Sequence, residues 1–279
     1  MLPFTMANHK ARTRLFAVIS HLFLSLVLLK CSNALSAEKI IMGYIHLKPF
    51  QYQSSVDKRA KGAGIAYFER IAEEMGYEVE WVGPLPLPRL LEYIRKGENT
   101  TSRPLDGTAM IFDTPKWRQI YHLSEQPYYQ VQSSLFVHKD SPLTKIQSGD
   151  DIKGLTIGSH CGAPPTQFIQ NNKHLFKSDC LAGSKRMERS IQKLLMGRVD
   201  AYYGLNDVDL HYYASQMGVA DQIRTLHLPE APREIYVGFS KQSPKAKKLI
   251  QQYNQAADKL QLDFQRFLTR EFTEITASK

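Results

Sequence analysis

Apolar positions along the chain fall into two alternating patterns, short continuous runs and stripes with helical spacing. Lys39–Ile45 and Thr108–Phe112 are short apolar runs of the kind that forms buried strands. Between them, Gly64–Met75 gathers its apolar residues on one helical face, and Gly76 provides the residue type that ends helices. Strands that alternate with helices of this length predict parallel sheets joined by right-handed crossovers.

The same alternation continues to the end of the chain and starts a second series after Tyr129. The other predicted strands are 78–83, 133–138, 155–160, 179–182 and 200–205, and the other predicted helices are 87–95, 164–175, 184–196, 245–260 and a stretch around 264–272. Two such series predict two α/β lobes. Ligands of open α/β sheets lie beyond the carboxyl ends of the strands. We therefore expect one cleft to be surrounded by the segments after Tyr44, Phe112, His160 and Leu205.

The first 37 residues have the pattern of a secretory signal peptide. Lys10, Arg12 and Arg14 precede the apolar run Leu15–Leu29, and small and polar residues follow it. The run is shorter than the roughly 20 residues that a membrane-spanning helix needs. We expect residues 1–37 to be removed on export to the periplasm. A membrane anchor and a lipid attached to Cys31 are the alternatives.

Composition narrows the range of partners. Removal of 1–37 lowers the net charge from +9 to +5, and the remaining basic residues are dispersed along the chain. No nucleic-acid-binding signature accompanies them, so we predict no nucleic-acid partner. The segment Gly62–Gly64 lacks the third glycine of a dinucleotide-binding loop, and we predict neither a cofactor nor a metal.

Two cysteines, Cys161 and Cys180, remain after export. An oxidising compartment favours a disulfide between them. Two free thiols are a second interpretation. A reactive or metal-binding thiol is a third, because His160 precedes Cys161, although no base and orienting partner can be identified from the sequence.

Five segments, in this order and spacing, resemble the family 3 periplasmic solute-binding proteins, the polar amino-acid receptors of ABC transporters. They are KPFQY (48–52), GAGIAYFERIAEEMGYEVEW (62–81), DTPKWRQIYHLSEQPYY (113–129), DDIKGLTIGSHCGAP (150–164) and SIQKLLMGRVDAYYGLND (190–207). The resemblance implies an α/β, two-lobed clamp in which the chain crosses twice between lobes and the ligand binds in the cleft. Lobe 1 would comprise 38–129 and 237–279, and lobe 2 would comprise 130–236.

The resemblance also implies an arginine after the Thr-Pro turn that grips the ligand's carboxylate. Counting from Thr114-Pro115 puts Trp117 at that position, whereas counting from Asp106 puts Arg118 there. We take Arg118 as the anion-binding residue, with a solvated surface arginine as the alternative. The family's acidic residue for the ligand ammonium aligns with Leu205 or Asn206. A standard amino acid is therefore a less favoured ligand than the family implies.

The aromatic positions that sandwich the ligand in the family align with Leu47 and Leu87, so the aromatic wall must come from neighbouring residues. Tyr44, Phe50 and Trp117 are expected to form apolar walls, although Phe50 fits the core equally well. Gly162 is expected to present backbone N–H groups, and Asn206 is expected to supply polar contacts.

These expectations describe a monomeric, exported binding protein for a small polar solute that carries an acidic group. Its partner would be an ABC permease or a membrane sensor. An enzyme on the same fold is the rival class, with His46, His160 and Glu125 as the available acids and bases. A protein with a decayed pocket that works through lobe contacts is a third class.

Overall fold

Two mixed β-sheets with helices packed against them make up the described chain. The computed structural model describes residues 38–96, 104–161, 165–182 and 185–277. The predicted signal peptide lies outside these ranges. Within them, no helix combines the length and the apolar character needed to cross a membrane.

The first sheet takes its strands from both ends of the described chain. Its order is β4-β1-β5-β13-β6, with β7 also paired to β13. These strands are β1 (Glu38–Gly43), β4 (Tyr77–Val82), β5 (Gly107–Phe112), β6 (Tyr121–Leu123), β7 (Tyr129–Val131) and β13 (Arg233–Ser240). A separate two-stranded hairpin comprises β2 (Tyr52–Gln53) and β3 (Ala60–Lys61). The helices of this part are α1 (Ala63–Glu74), α2 (Leu87–Lys96), α3 (Pro115–Ile120), α7 (Ala246–Leu260) and α8 (Phe264–Ala277).

The second sheet is formed entirely by the middle of the chain, in the order β10-β9-β11-β8-β12. Its strands are β8 (Ser134–His138), β9 (Thr156–His160), β10 (Lys177–Leu181), β11 (Ala201–Gly204) and β12 (Ile223–His227). The helices are α4 (Gln167–Asn172), α5 (Arg186–Leu195) and α6 (Asp209–Met217), and two single-turn 3₁₀ helices occur at Gly149–Ile152 and Ala220–Gln222.

The sheets are mixed, so the prediction of parallel sheets was wrong for part of each. β1 pairs in parallel with β5, and β9 pairs in parallel with β10 and β11. However, β13 is antiparallel to β5, β6 and β7, and β8 is antiparallel to β11 and β12. The two strands concerned, β8 and β13, each enter their sheet directly from a strand of the other sheet, through a short segment without a helix. Neither strand is therefore introduced by the βαβ crossover that makes neighbouring strands parallel.

Strand alternation gives each sheet two buried faces. In β8, Leu135 and Val137 contribute to one core cluster, whereas Phe136 lies in another with Leu194 and Leu210 of the helices. In the first sheet, α1, α7 and α8 cover one face, and α2 and α3 cover the other. Central strands such as β1, β5 and β8 are therefore nearly continuous apolar runs in the sequence.

A buried carboxylate joins three segments of the first sheet. Asp106 is 2% exposed; its Oδ2 accepts a hydrogen bond from the backbone N–H of Ile41 at 2.9 Å, and its Oδ1 accepts one from the Ser243 hydroxyl at 2.6 Å. Lys245 Nζ lies 3.4 Å from Oδ2. Because each oxygen is satisfied, the charge is tolerated in the interior and fixes β1, β5 and the start of α7 relative to one another.

The pairing of β5 with β13 requires a glycine at position 107. A Cβ atom on Gly107 would lie 2.3 Å from the carbonyl oxygen of Gly238 on the facing strand. We expect Gly107→Ala to lower the free energy of unfolding, because the backbone must move to make room for the methyl group. The loss should reach or exceed the upper end of the roughly 1–3 kcal/mol that is typical of overpacking. Urea denaturation measures the loss. Gly158→Ala is the matched strand control, since its nearest contact is the Tyr202 side chain at 3.3 Å. Equal losses in the two variants would contradict the steric argument.

Candidate functional site

A cavity of about 360 Å³ lies between the two sheets. Its walls include Ile45–Lys48 after β1, Phe112 at the end of β5, His160 at the end of β9, and Leu205 and Asn206 after β11. The structure therefore confirms the common cleft expected from the ends of these strands. Helices α2, α3, α5 and α6 complete the wall, and most of the lining side chains are apolar or aromatic.

Two of the predicted site residues line this cavity. Trp117 does so from α3, where the Thr114 side chain caps the helix by accepting a hydrogen bond from the Trp117 backbone N–H at 3.2 Å. Asn206 also lines the cavity, but its Oδ1 accepts hydrogen bonds from the backbone N–H groups of Val208 and Asp209 at the start of α6. Asn206 thus caps α6, and its amide nitrogen is the group left for polar contacts. Gly162 lies outside the described residues.

Arg118 is not among the residues that line the cavity. Its side chain is 64% exposed, and its guanidinium donates two hydrogen bonds to Asp113, Nε to Oδ1 at 2.6 Å and Nη2 to Oδ2 at 2.5 Å. The sequence interpretation misplaced this side chain because one residue along a helix turns a side chain by about 100°. Trp117 and Arg118 therefore point in different directions, and Trp117 occupies the cavity side.

Tyr44 and Phe50 are also absent from the cavity wall, because both are used in the core of the first lobe. Tyr44 is 1% exposed and packs edge-on against Trp81, with ring centroids 6.1 Å apart. Phe50 is fully buried and packs against Tyr129 and Phe264 at centroid distances of 6.2 and 6.3 Å. For Phe50 the core interpretation, held open from the sequence, is the one that the packing supports.

Three cationic side chains line the cavity, and among the described residues none has a carboxylate within 4.0 Å. They are Lys48, Arg186 and Arg233. Arg233 is half-buried at the start of β13, and its guanidinium lies 3.7 Å from the centre of the Phe112 ring. Burial lowers the pKa of Arg233, but an arginine stays charged in proteins. A desolvated cation held on an aromatic face is suited to an anionic ligand group.

Arg186 and His160 form a pair on the second lobe. Arg186 Nε donates a hydrogen bond to His160 Nδ1 at 3.3 Å. Burial and, to a smaller extent, the positive charge of Arg186 together lower the pKa of His160 to about 4. The ring is therefore neutral at physiological pH, and the hydrogen must reside on Nε2. His160 Nε2 is buried and has no partner within the described protein, so it can donate to a ligand.

Three more cavity-lining polar atoms lack a partner within the described chain. They are Gln51 Oε1, Thr108 Oγ1 and Tyr121 Oη, and each belongs to a residue that is 1–2% exposed. Buried polar atoms in proteins are almost always hydrogen-bonded. Their position in the cavity wall makes them contacts for a bound solute or for ordered water.

The cavity wall also contains one buried carboxyl group, Asp209, in the first turn of α6. Burial raises the pKa of Asp209 to about 7, although hydrogen bonds from the Leu210 backbone N–H and the Asn206 side chain act to lower it. At physiological pH this group is only partly ionised. Because it offsets at most one of the three cations, the cavity keeps an excess of positive charge.

Cys161 and Cys180 are joined by a disulfide, which was one of three interpretations of the sequence. It links the segment after β9 to β10, and the Cys161 backbone N–H bonds to the Leu181 carbonyl at 3.0 Å. The bridge therefore holds the strand end that carries His160. No group of three metal-binding side chains is present in the described ranges.

The sequence interpretation did not identify the three cations that line the cavity. The sequence signal that could have identified each of them differs from one cation to the next. Lys48 belongs to KPFQY, a segment that resembles the first pocket loop of the family, so its presence in the cavity wall could have been expected. Arg186 begins a helix. Arg233 begins a strand whose pairing partners cannot be predicted from the spacing of apolar residues in the sequence. His46 and His160, two of the acids and bases named for the rival enzyme, both line the cavity, whereas the third, Glu125, lies in a separate surface pocket.

Two α/β lobes with a ligand-sized cavity at the strand ends define a two-lobed binding-protein fold of the Venus flytrap type. The chain belongs to the bacterial extracellular solute-binding proteins, family 3, whose family model matches residues 40–270. No curated protein sequence gives a significant match.

Solved structures share this fold at low sequence identity. One is an amino acid ABC transporter substrate-binding protein, AbpA from Streptococcus pneumoniae, bound to L-arginine: 20% identity, TM-score 0.64, covering 86% of this chain and 97% of that one. Another is the periplasmic VFT2 domain of BvgS from Bordetella pertussis: 16% identity, TM-score 0.62, covering 85% and 92%. A third is the ancestral amino-acid-binding protein AncCDT-1, a precursor of cyclohexadienyl dehydratase: 17% identity, TM-score 0.62, covering 84% and 95%. These similarities establish the fold.

The raised pKa of Asp209 predicts a pH-dependent stability difference. An unfolded Asp ionises near its ordinary value of 3.8, whereas the folded one ionises at about 7. The stabilising contribution of the protonated form is therefore complete below pH 3.8 and is lost as the pH rises to 7. Relative to wild type, we expect Asp209→Asn to gain stability over this window by roughly 1.4 kcal/mol per pH unit. Urea denaturation at pH 5 and pH 8 measures this gain. A constant difference between the two proteins would show that Asp209 ionises normally.

Proposed function

We propose that this protein is exported to the periplasm, where it captures a small solute that carries a carboxylate and an apolar body. In this proposal the first lobe comprises 38–129 and 237–279, and the second lobe comprises 130–236. The cleft between the lobes closes on the solute, and the closed protein delivers the solute to an ABC permease. The observation that carries the proposal is Arg233, a half-buried cation in a largely apolar cavity with no carboxylate partner among the described residues.

The energetics of burial support an anionic solute. Taking a charge out of water is expensive unless a partner of opposite charge is present. Arg233 is supported only by the Phe112 ring and by the more distant effects of Tyr203 and Glu230. A ligand carboxylate against the guanidinium supplies two parallel charge-assisted hydrogen bonds, which is the pairing that arginine geometry favours.

The apolar lining supports a hydrophobic body on the same solute. Leu90, Met110, Trp117 and Met187 line the cavity from both lobes. The volume of about 360 Å³ is at the lower end of the range for small-molecule sites. A small organic acid fits this combination better than a strongly hydrated inorganic ion.

Sensing is a second proposal for the same binding event, because the VFT2 domain of BvgS has this fold. In that case the closed clamp would signal to a membrane receptor instead of a permease. The two roles share the ligand chemistry, and they differ in whether the closed protein binds a permease in a reconstituted transport assay.

An enzyme of the dehydratase type is a third proposal, favoured by the neutral His160 beside the cavity and by the similarity to a dehydratase precursor. Prolonged incubation of the protein with its stabilising acid, followed by mass spectrometry, separates the two classes. Recovery of the unchanged acid supports binding alone, and turnover that is lost in His160→Gln supports catalysis.

Arg233→Gln and Arg118→Gln form a matched pair that tests the carboxylate site. We expect a panel of small organic acids to contain one that raises the melting temperature of wild type. At 100 times its dissociation constant, a ligand adds about 2.7 kcal/mol, which is roughly 5–10 °C for a protein of this size. Arg233→Gln should lose this shift because the carboxylate loses its partner, whereas Arg118→Gln should keep it. The reverse result would place the anion at Arg118, as the sequence first indicated.

A further inference from the structure

We propose that the solute carries a second anionic group, which binds in a subsite between the lobes formed by Lys48, Arg186 and His160. This inference rests on the proposed function, because it uses the same cavity and assumes that the first anionic group binds Arg233. The solute class that fits is a dianion with an apolar middle, such as a dicarboxylate or a phosphorylated carboxylate.

The first argument is that the cations of the cavity occupy two separate regions. Arg233 lies with Phe112, Tyr203 and Glu230 at the strand that returns to the first sheet. Arg186 instead influences His46, His160 and Asp209. The two sets share no residue. Arg233 lies on the Phe112 ring at the end of β5, whereas Arg186 is hydrogen-bonded to His160 at the end of β9, and we assign one acidic group of the solute to each.

The second argument is that the proposed subsite draws its charges from both lobes. Lys48 and His46 follow β1 of the first sheet, whereas Arg186 and His160 come from α5 and β9 of the second. The pKa of His46 on the first lobe is lowered mainly by burial, then by Lys48 and then by Arg186. The charge of Arg186 therefore acts across the cleft. Like charges from two lobes oppose closure of the cleft, and an anion placed between them reverses the sign of that interaction.

The third argument is the hydrogen-bonding geometry of the pair on the second lobe. Arg186 Nε is used by His160, which orients the guanidinium and leaves its two terminal nitrogens without a partner among the described residues. His160 contributes the buried Nε2–H described above. Lys48 adds an ammonium that lies 5.1 Å from the centre of the Tyr52 ring. These are donors only, so the complementary group is an acceptor with negative charge.

Asp209 does not neutralise the positive charge of this subsite. Its Oδ1 accepts from the Leu210 backbone N–H at 2.7 Å, and its carboxylate lies beyond ion-pair distance from Arg186. Its raised pKa reduces the negative charge that it carries near neutrality. The positive charge of Lys48 and Arg186 is therefore largely available to a ligand.

The test compares straight-chain dicarboxylates, from succinate to suberate, with the monocarboxylate of the same length, by calorimetry on the purified protein. A parallel series carries a phosphonate in place of one carboxylate. We expect at least one dianion to bind about tenfold or more tightly than its matched monocarboxylate, which is about 1.4 kcal/mol, because its second group accepts charge-assisted hydrogen bonds. The better of the two series identifies the second group as a carboxylate or as a phosphorus acid.

Four variants make the result specific. Arg186→Gln and Lys48→Gln should each weaken dianion binding about tenfold and leave monocarboxylate binding unchanged. Arg233→Gln should weaken both. Arg189→Gln is the matched control, because Arg189 is exposed on the same helix and does not line the cavity. The melting temperature of each variant without ligand shows that it is folded.

The outcomes separate this inference from the proposed function. Equal binding of dianions and monocarboxylates, with both weakened only by Arg233→Gln, overturns the second subsite and leaves the proposed function standing. A dianion preference that survives both Arg186→Gln and Lys48→Gln also overturns the subsite. Absence of binding by every acid in the series overturns both.

Discussion

The return of β13 to the first sheet is the constraint on which both the fold and the cavity depend. β13 pairs with β5, β6 and β7, and its pairing with β5 brings Gly238 so close to Gly107 that no side chain fits at that position. The same strand begins at Arg233, opposite Val131 of β7, and places the guanidinium over Phe112 at the end of β5. The pairing that closes the first lobe therefore also positions a cation at the cavity.

The cavity combines two features that oppose each other in a protein interior. Its lining is largely apolar, which favours exclusion of water, yet it holds three cations and several buried polar atoms without partners in the described chain. Of the three cations, Lys48 and Arg233 are partly buried, and charges in that position reduce stability unless a ligand satisfies them. A binding protein benefits from this cost, because the free energy recovered when an anion binds is available to favour the closed state. Local features that lower stability are frequent at functional sites for this reason.

Most of the fold could be predicted from the sequence, because periodicity determines which segments are strands and helices and strand ends determine where ligands bind. The helices α1, α2, α5 and α7 and the common cleft follow from this reasoning. Strand β13 could not be predicted in this way, because its apolar run follows no helix and its antiparallel partners are distant in the sequence. The direction of single side chains was the least predictable property. Tyr44 and Phe50 had the right residue type and the right loop, but their rings pack into the core.

Family membership establishes the two-lobed fold, whereas the identity of the ligand depends on the individual side chains that line the cavity. The resemblance implies an arginine for the ligand's carboxylate and an acidic residue for its ammonium. The geometry agrees with the count from Thr114-Pro115, because Trp117, and not Arg118, lies on the cavity side. The ammonium position aligns with Leu205 or Asn206, and neither side chain carries a charge. An amino acid would therefore meet an indole at one end and no full negative charge at the other. Arg233 and Arg186 enter the cavity wall from other elements, β13 and α5, so the cations of the cavity stand at other positions than the resemblance implies.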